Sequence, residues 1–459
     1  MLLLGCLAVV VSAALSDFES DCRIDSGLVS AFGAAADPAG RVWVAVARDN
    51  GEVRLLRSAD YCRTWDDFLE VQFDSGISQL QVVPAFGESS FIHVFVLSRQ
   101  GSGDLWLWRV RPDSTSWELW PLAVGPDTVD DFSTTADKDS FYYLYCLYAN
   151  EHRTGQTGRF VRSTDFGRTW GMATDWWNCW DPHISHTRAS TIHCVWRYAL
   201  TGAEIHYQSN RHYGAARYWS PGRVVSSGHD RCWDPVVVQA DTADEWDAAV
   251  WTFYTVGRRD TSHTDIGYAR SWNCGWDWTP GRSFSNPYRD ESPVDAAMGL
   301  AAARGFVSLL YTCGGDRYGD TVVLYRRVSC ALHPTVWSAP VQVSQIPVAR
   351  GPASVKARLV HCLGAPDPFP AVFYCGQSQD GPRGVYCSAP WLEHMPNRSV
   401  RNPTAIKRHV AVSSGRVYDV SGRLISRIVP GAGQRAPVLP PGVYVVQDDT
   451  SRARLTIVH

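Results

Sequence analysis

Two segments, "NCWDPHIS" (178–185) and "RCWDPVVVQ" (231–239), each set a Trp beside an Asp that precedes a Pro. Side chains of these types can work on a sugar, because carboxylates accept hydrogen bonds from hydroxyls and an indole stacks on the apolar face of a ring. Two carboxylates held close could divide general-acid and general-base roles where burial raises one pKa. The local alternative is an Asp before Pro that caps a turn. The segments "DDFSTT" from Asp130 and "DESPVD" from Asp290 fall at the same phase of the chain. Asp131, Asp181, Asp234 and Glu291 are therefore the candidate acids, with Trp180 and Trp233 beside them. No cofactor is called for, although the same oxygens could hold a Ca²⁺ ion.

Polar, Gly-rich hairpins add Arg153, Arg258, Arg259, Asp260, His263 and Arg317. Arg groups recognise carboxylates bidentately, and Arg258, Arg259 and His263 join the two Trp as candidate ligand-binding residues. His183 and His186 stand three apart on a strand, face opposite sides and cannot chelate together. The 13 Cys include no CxxC pair, which argues against a thiolate zinc site. No metal ligand set is assigned. Twelve Cys remain beyond an apolar leader, and disulfides are expected with connectivity left open.

The elements that must position these residues are strands. Twenty Trp, 19 Tyr and 16 Phe beside 37 Gly and 26 Pro favour short strands and tight turns. With 19% charged residues and a net charge of −3 the chain is globular, and nucleic acid is excluded as a partner. The stretch "RSTDFGRTW" (162–170) has degenerate relatives ending at Trp65, Trp117, Trp219, Trp278, Trp337 and Trp391, spaced by 49 to 59 residues. Such a period is that of a propeller blade lengthened by loops. Ahead of each copy stand an apolar strand, a polar turn and a second strand. Near-continuous apolar runs such as "FIHVFVL" suit strands covered on both faces. Seven copies predict an all-β, seven-bladed propeller.

"STDFGRTW", Ser163 to Trp170, resembles the Asp-box (BNR repeat) of the sialidase-like β-propellers at every defined position, through Ser163, Asp165, Gly167, Thr169 and Trp170. Around Ser58, Asp60, Thr64 and Trp65 the box departs by Cys62 for Gly; around Ser271, Gly275 and Trp278 it carries Asn273 for Asp and Asp277 for Thr. These residues are expected to staple a turn: Asp165 accepts backbone N–H groups, Gly167 takes positive φ, and Trp170 buries its ring between sheets. The resemblance covers residues 20 to 400 and implies a ligand face opposite the boxes. Six blades, the number in the sialidase enzymes, is the alternative count. The enzymes' catalytic set is not recognisable here: "CRIDSG" gives Arg23-Ile24-Asp25 where the family has Arg-Ile-Pro, and no nucleophile is assigned.

The ends carry separate signals. "MLLLGCLAVVVSAALS" reads as a secretory signal peptide over residues 1–16, and no later apolar run is long enough to cross a membrane. Residues 17–400 are the propeller. A polar, Pro-containing joint leads into 401–459, a small β-sandwich with three strand candidates, "GRVYDVSGRLISRI", "VLPPGVYVVQDD" and "RARLTIVH". Through Val417, Tyr418, Asp419, Gly422 and Arg423, then Gly442, Val443 and Tyr444, this tail is similar to type IX secretion sorting domains. The resemblance implies passage through periplasm and outer membrane to a secreted or cell-surface location, with the type IX machinery as partner. The expected function is binding of extracellular glycan or glycoprotein; the alternatives are a glycoside hydrolase of exo-sialidase type or a glycan lyase, and a surface adhesion or structural protein.

Overall fold

Aromatic and β-branched runs separated by turns build eight four-stranded antiparallel sheets in the computed structural model, seven of them in one unit. The structure describes residues 21–73, 76–85, 91–98, 103–114, 116–123, 128–137, 143–152, 155–186, 191–198, 204–226, 231–239, 249–257, 264–281, 290–298, 306–314, 322–330, 337–344, 346–348, 357–361, 370–377, 383–389, 415–419, 424–428, 442–447 and 453–458. The chain divides into two compact units, Met1–Pro396 and Asn397–His459.

The first unit is a seven-bladed β-propeller, each blade running from an innermost to an outermost strand. Blade 1 holds Val29–Ala36, Val42–Arg48, Glu52–Ser58 and Asp66–Gln72; blade 2 Ile77–Ala85, Phe91–Ser98, Leu105–Val110 and Trp117–Ala123. Blade 3 holds Thr128–Ala136, Leu144–His152, Gly155–Ser163 and Gly171–Trp177; blade 4 Cys179–His186, Ile192–Tyr198, Glu204–Asn210 and Arg223–Val224. Blade 5 holds Arg231–Gln239, Val250–Gly257, Thr264–Ser271 and Thr279–Pro280; blade 6 Asp290–Met298, Phe306–Gly314, Val322–Cys330 and Val341–Gln342. Blade 7 takes Arg358–Val360, Ala371–Gln377 and Arg383–Ser388 from the end of the ring, and its outermost strand, Asp21–Ser26, from the beginning.

Burial follows position in the blade. Every residue of Phe91–Ser98, a second strand, is buried, whereas Trp117–Ala123 at the rim of the same blade is half-buried or exposed. This is the arrangement that gap-free apolar runs require, with water excluded from both faces of the inner strands.

The turns between third and outermost strands are stapled by side chains. Asp165 accepts the backbone N–H groups of Arg168 and Thr169 at 3.1 and 2.8 Å and the Thr169 hydroxyl at 2.7 Å, while Ser163 Oγ accepts the Gly167 N–H at 2.8 Å. Asp60 and Ser58 repeat the pattern, with Cys62 holding the glycine position at φ 70°. Asn273 accepts the Asp277 N–H at 2.8 Å and donates its own amide to the Asp277 carboxylate at 2.9 Å, so the two departures from the motif compensate each other. In blade 4, Asn210 takes the place of the serine, its Oδ1 accepting from His212 and Gly214 N–H at 2.8 and 3.0 Å as Ser163 Oγ does from Asp165 and Gly167.

The tryptophans that end these turns lie edge-on against a ring of the preceding blade. The pairs are Trp65 with Phe373 (6.1 Å between centroids), Trp170 with Phe95 (5.9 Å), Trp219 with Phe160 (4.8 Å), Trp278 with Tyr207 (4.7 Å) and Trp337 with Trp251 (5.8 Å). Trp117 differs. It is 45% exposed, because its turn has Val110 and Pro112 where Ser and Asp would lock the loop inward. Trp391 lies outside the described residues.

The second unit contributes one four-stranded antiparallel sheet, ordered Leu424–Ile428, Gly415–Asp419, Gly442–Gln447, Ala453–Val458. The first of the three expected strands is two, folded back on each other between Asp419 and Leu424. A second sandwich layer is not among the described residues. No described helix is long and apolar enough to cross a membrane.

Candidate functional site at the propeller axis

Six innermost strands carry a β-bulge near their first residues, and the bulges fall in two registers. In blades 1 to 3 the extra residue is Ser30, Ser78 or Asp130. In blades 4 to 6 it falls deeper along the strand, at Asp181-Pro182, Asp234-Pro235 and Pro293-Val294. A bulge re-aims the side chain it carries. Asp181 and Asp234 both adopt φ 47°, a left-handed conformation that Asp tolerates better than most residues.

Beside the bulges lies a small, open pocket at the axis, lined by Asp131, Asp181 and Asp234 with Gln79, His183 and Arg358 among the polar groups. Its walls come from blades 2 to 7. Neighbouring innermost strands are sewn together there: Gln79 and Gln81 donate to the Phe132 carbonyl at 2.8 and 3.0 Å, Ser133 Oγ accepts Ile184 N–H at 3.1 Å, and His183 Nδ1 accepts Val237 N–H at 3.2 Å. Asp295 closes the series by accepting Leu359 N–H at 2.8 Å.

Arg197, from the second strand of blade 4, reaches Asp181 at 2.9 Å and lies 5.2 Å above the Trp180 ring. Asp131 Oδ1 accepts its neighbour's N–H, from Phe132, at 2.8 Å.

The four candidate acids separate on this geometry. By ladder register Asp131 is the equivalent of Trp180 and Trp233, though it follows the bulge of its strand where they precede theirs, and it reaches the pocket alongside Asp181 and Asp234. Glu291 does not line it. It pairs with Cys313 at the register held by Cys179 and Cys232 in blades 4 and 5, positions that point between sheets, and it is 6% exposed. Trp180 and Trp233 also stay off the pocket wall: the first carries Arg197 on its face, and the second covers Gly257, where an added Cβ would fall 2.8 Å from the ring. Arg23 is an exposed residue of the outermost strand of blade 7, far from the axial strands in sheet order. Arg153, Arg258, Arg259, Asp260, His263 and Arg317 lie outside the described residues. Gln79, Gln81 and Arg358 carry no signal in the sequence, and His183 figures there only as a rejected chelator with His186, since only the ring of blades brings the four together.

The pocket can therefore offer three carboxylates, amide groups, an imidazole and a guanidinium to a polar ligand. Among the described residues no group of three or more His, Cys, Asp or Glu is arranged to hold a metal ion. Ten described cysteines are present as thiols.

No protein-family model matches the chain, and no curated protein matches it. Solved structures do. The BP39L lectin from Burkholderia pseudomallei superposes with a TM-score of 0.55 at 10% identity, over 79% of this chain and 99% of the lectin. An ulvan lyase of polysaccharide lyase family PL25 superposes with a TM-score of 0.53 at 14% identity, over 81% of this chain and 96% of the lyase. At such identities the likeness speaks for the propeller fold.

Proposed function

We propose that this chain is a glycan-binding β-propeller whose axial pocket receives a saccharide on the face opposite the stapled turns. The observation that carries the reading is the convergence of Asp131, Asp181, Asp234, Gln79, His183 and Arg358 in one pocket, a set of acceptors and donors matched to hydroxyl groups. The fold shared with a lectin and a polysaccharide lyase supports it. Binding is preferred to cleavage because Arg197 already engages the Asp181 carboxylate at 2.9 Å.

The stapled turns are read as Asp-boxes of the sialidase-like type, the leader as an export signal and the C-terminal sheet as a type IX sorting domain. Fractionation of the producing cell tests the last two: retention of the full chain in the cytoplasm overturns them.

A glycan array with the full chain, paired with a chromogenic glycoside panel and an uronate-lyase assay, tests the main reading. Saturable glycan binding that Asp131→Ala, Asp181→Ala and Asp234→Ala each weaken is expected, with no turnover. Turnover lost in the same variants would move the chain to the hydrolases or lyases. Binding unaffected by all three removes the pocket.

A further inference from the structure

The propeller is closed by the ladder between Asp21–Ser26 and Arg383–Ser388, and within that ladder Cys22 stands directly opposite Cys387. No other ladder among the described strands sets two cysteines against each other. Opposed residues on antiparallel strands have Cα atoms about 4.5 or 5.5 Å apart according to pair type, and disulfides bridge Cα separations of about 4.4–6.8 Å. Both pair types fall inside that span. The two side chains also share a face, for both pack into the apolar cluster between blades 7 and 1 with Phe373, Val385 and Trp65. Burial, then the charges of Asp60 and Asp21, push the Cys22 thiol pKa up, which places Cys22 beside the stapled turn of blade 1. Cys22 is partly exposed while the other nine described thiols are buried, so an oxidant reaches the pair through Cys22.

We propose that Cys22 and Cys387 form a disulfide that covalently locks the first strand of the propeller onto its last blade. The two thiols lose two protons and pass two electrons to a disulfide oxidant of the thiol-exchange type. One S–S bond forms in the protein, the oxidant's S–S bond breaks, and the oxidant leaves as two thiols. The bond encloses the whole ring, so it constrains the unfolded chain over nearly the full length of the propeller.

The test uses the purified full-length protein, reduced and then equilibrated with oxidised and reduced glutathione, so its outcome does not depend on how the chain is exported or on what it binds. Remaining thiols are alkylated, and the peptides are mapped by mass spectrometry without reduction. A peptide pair joined through Cys22 and Cys387 is expected, together with a melting temperature several degrees above that of the reduced protein. Cys22→Ser should abolish the joined pair, expose Cys387 to alkylation after denaturation and remove the redox dependence of melting. Complete alkylation of both cysteines in the equilibrated wild-type protein overturns the proposal, as does a Cys22 joined to any other residue. Should Cys22→Ser fold poorly, the wild-type peptide map alone decides.

Discussion

Asn273 donates its side-chain amide to the Asp277 carboxylate at 2.9 Å, reversing the direction of the bond that the Thr169 hydroxyl gives to Asp165. The two turns have the same shape with donor and acceptor exchanged. Asn273→Asp alone sets two carboxylates together and should destabilise the protein by about 1–2 kcal/mol, and Asp277→Thr alone removes the amide's partner at about 1 kcal/mol. The double variant restores the arrangement of 163–170, so its urea midpoint should return to that of the wild type. A strictly additive double variant would show that the pair is not coupled.

Two glycines at the same turn position differ in the space around them. A Cβ on Gly275, at φ 86°, would land on the Tyr207 hydroxyl, whereas one on Gly167, at φ 77°, would meet Leu107 and Leu144 methyl groups at 3.0 and 3.1 Å. Both substitutions to Ala pay the left-handed backbone cost of about 1 kcal/mol. Gly275→Ala adds overpacking against a buried ring, for a total of about 3 kcal/mol or more. Thermal unfolding should therefore rank Gly275→Ala well below Gly167→Ala, and an inverted order contradicts the packing described between blades 4 and 5.

Acid should unfold the propeller through two buried histidines. Burial lowers the His93 pKa to about 3, with the Phe166 carbonyl opposing and Arg109 assisting. Burial lowers His193 to about 3 as well, with Gln239 opposing and Arg211 assisting. Between the unfolded value near 6.5 and the folded value the unfolded chain binds more protons, so stability falls as pH falls. Each histidine contributes up to about 1.4 kcal/mol per pH unit well below 6.5. Asp165 adds to the loss at still lower pH, since burial raises its pKa but the bonds from Thr169, Ser163 and Arg168 outweigh it and hold the carboxyl below the usual range. Urea midpoints measured from pH 7 to 4.5 should flatten by about one proton's worth in His93→Gln; an unchanged slope would locate the acid sensitivity elsewhere.

The left-handed backbone of Asp181 separates folding from binding. Asp181→Gly fits φ 47° without strain and should leave stability within about 1 kcal/mol of the wild type while weakening glycan binding. Asp181→Val should lose both. Arg197→Ala removes a partly exposed ion pair, an interaction that contributes about 0–1 kcal/mol to stability. It should lower glycan affinity roughly tenfold by freeing the Asp181 carboxylate to reorient, about 1.4 kcal/mol of binding. Titration calorimetry and thermal melts on the three variants check the set.

The ring of blades was legible because its signal is redundant: Trp65, Trp170, Trp219, Trp278 and Trp337 each report the same contact with the preceding sheet. Where one copy decays the inference weakens, as at Trp117, which keeps the spacing but has lost the residues that turn the ring inward. The pocket was harder to read. Equivalence of "WDP" with "DDF" and "DES" requires one register for every innermost strand, and the bulge moves along the strand between blades 3 and 4. Glu291 fails for a simpler reason: Pro293 is the equivalent of Asp234 in the register that blades 5 and 6 share, so Glu291 falls two residues earlier, in the seam between sheets. Asn210 escaped notice for a different reason, since an amide oxygen there does the work of the serine hydroxyl in the other turns.

Because Asp21–Ser26 completes the sheet formed by Arg358–Val360, Ala371–Gln377 and Arg383–Ser388, the circle has its seam where the two extremities of the ring meet. During vectorial synthesis the earliest strand emerges without a partner and must wait for more than 350 residues before Ser388 arrives opposite Asp21. Until then the flank of blade 1 that carries Val42, Val44 and Val46 has nothing to cover it. Nascent or C-terminally truncated chains thus present an adhesive apolar edge, and the burden on chaperones falls on the interval before the last blade is made.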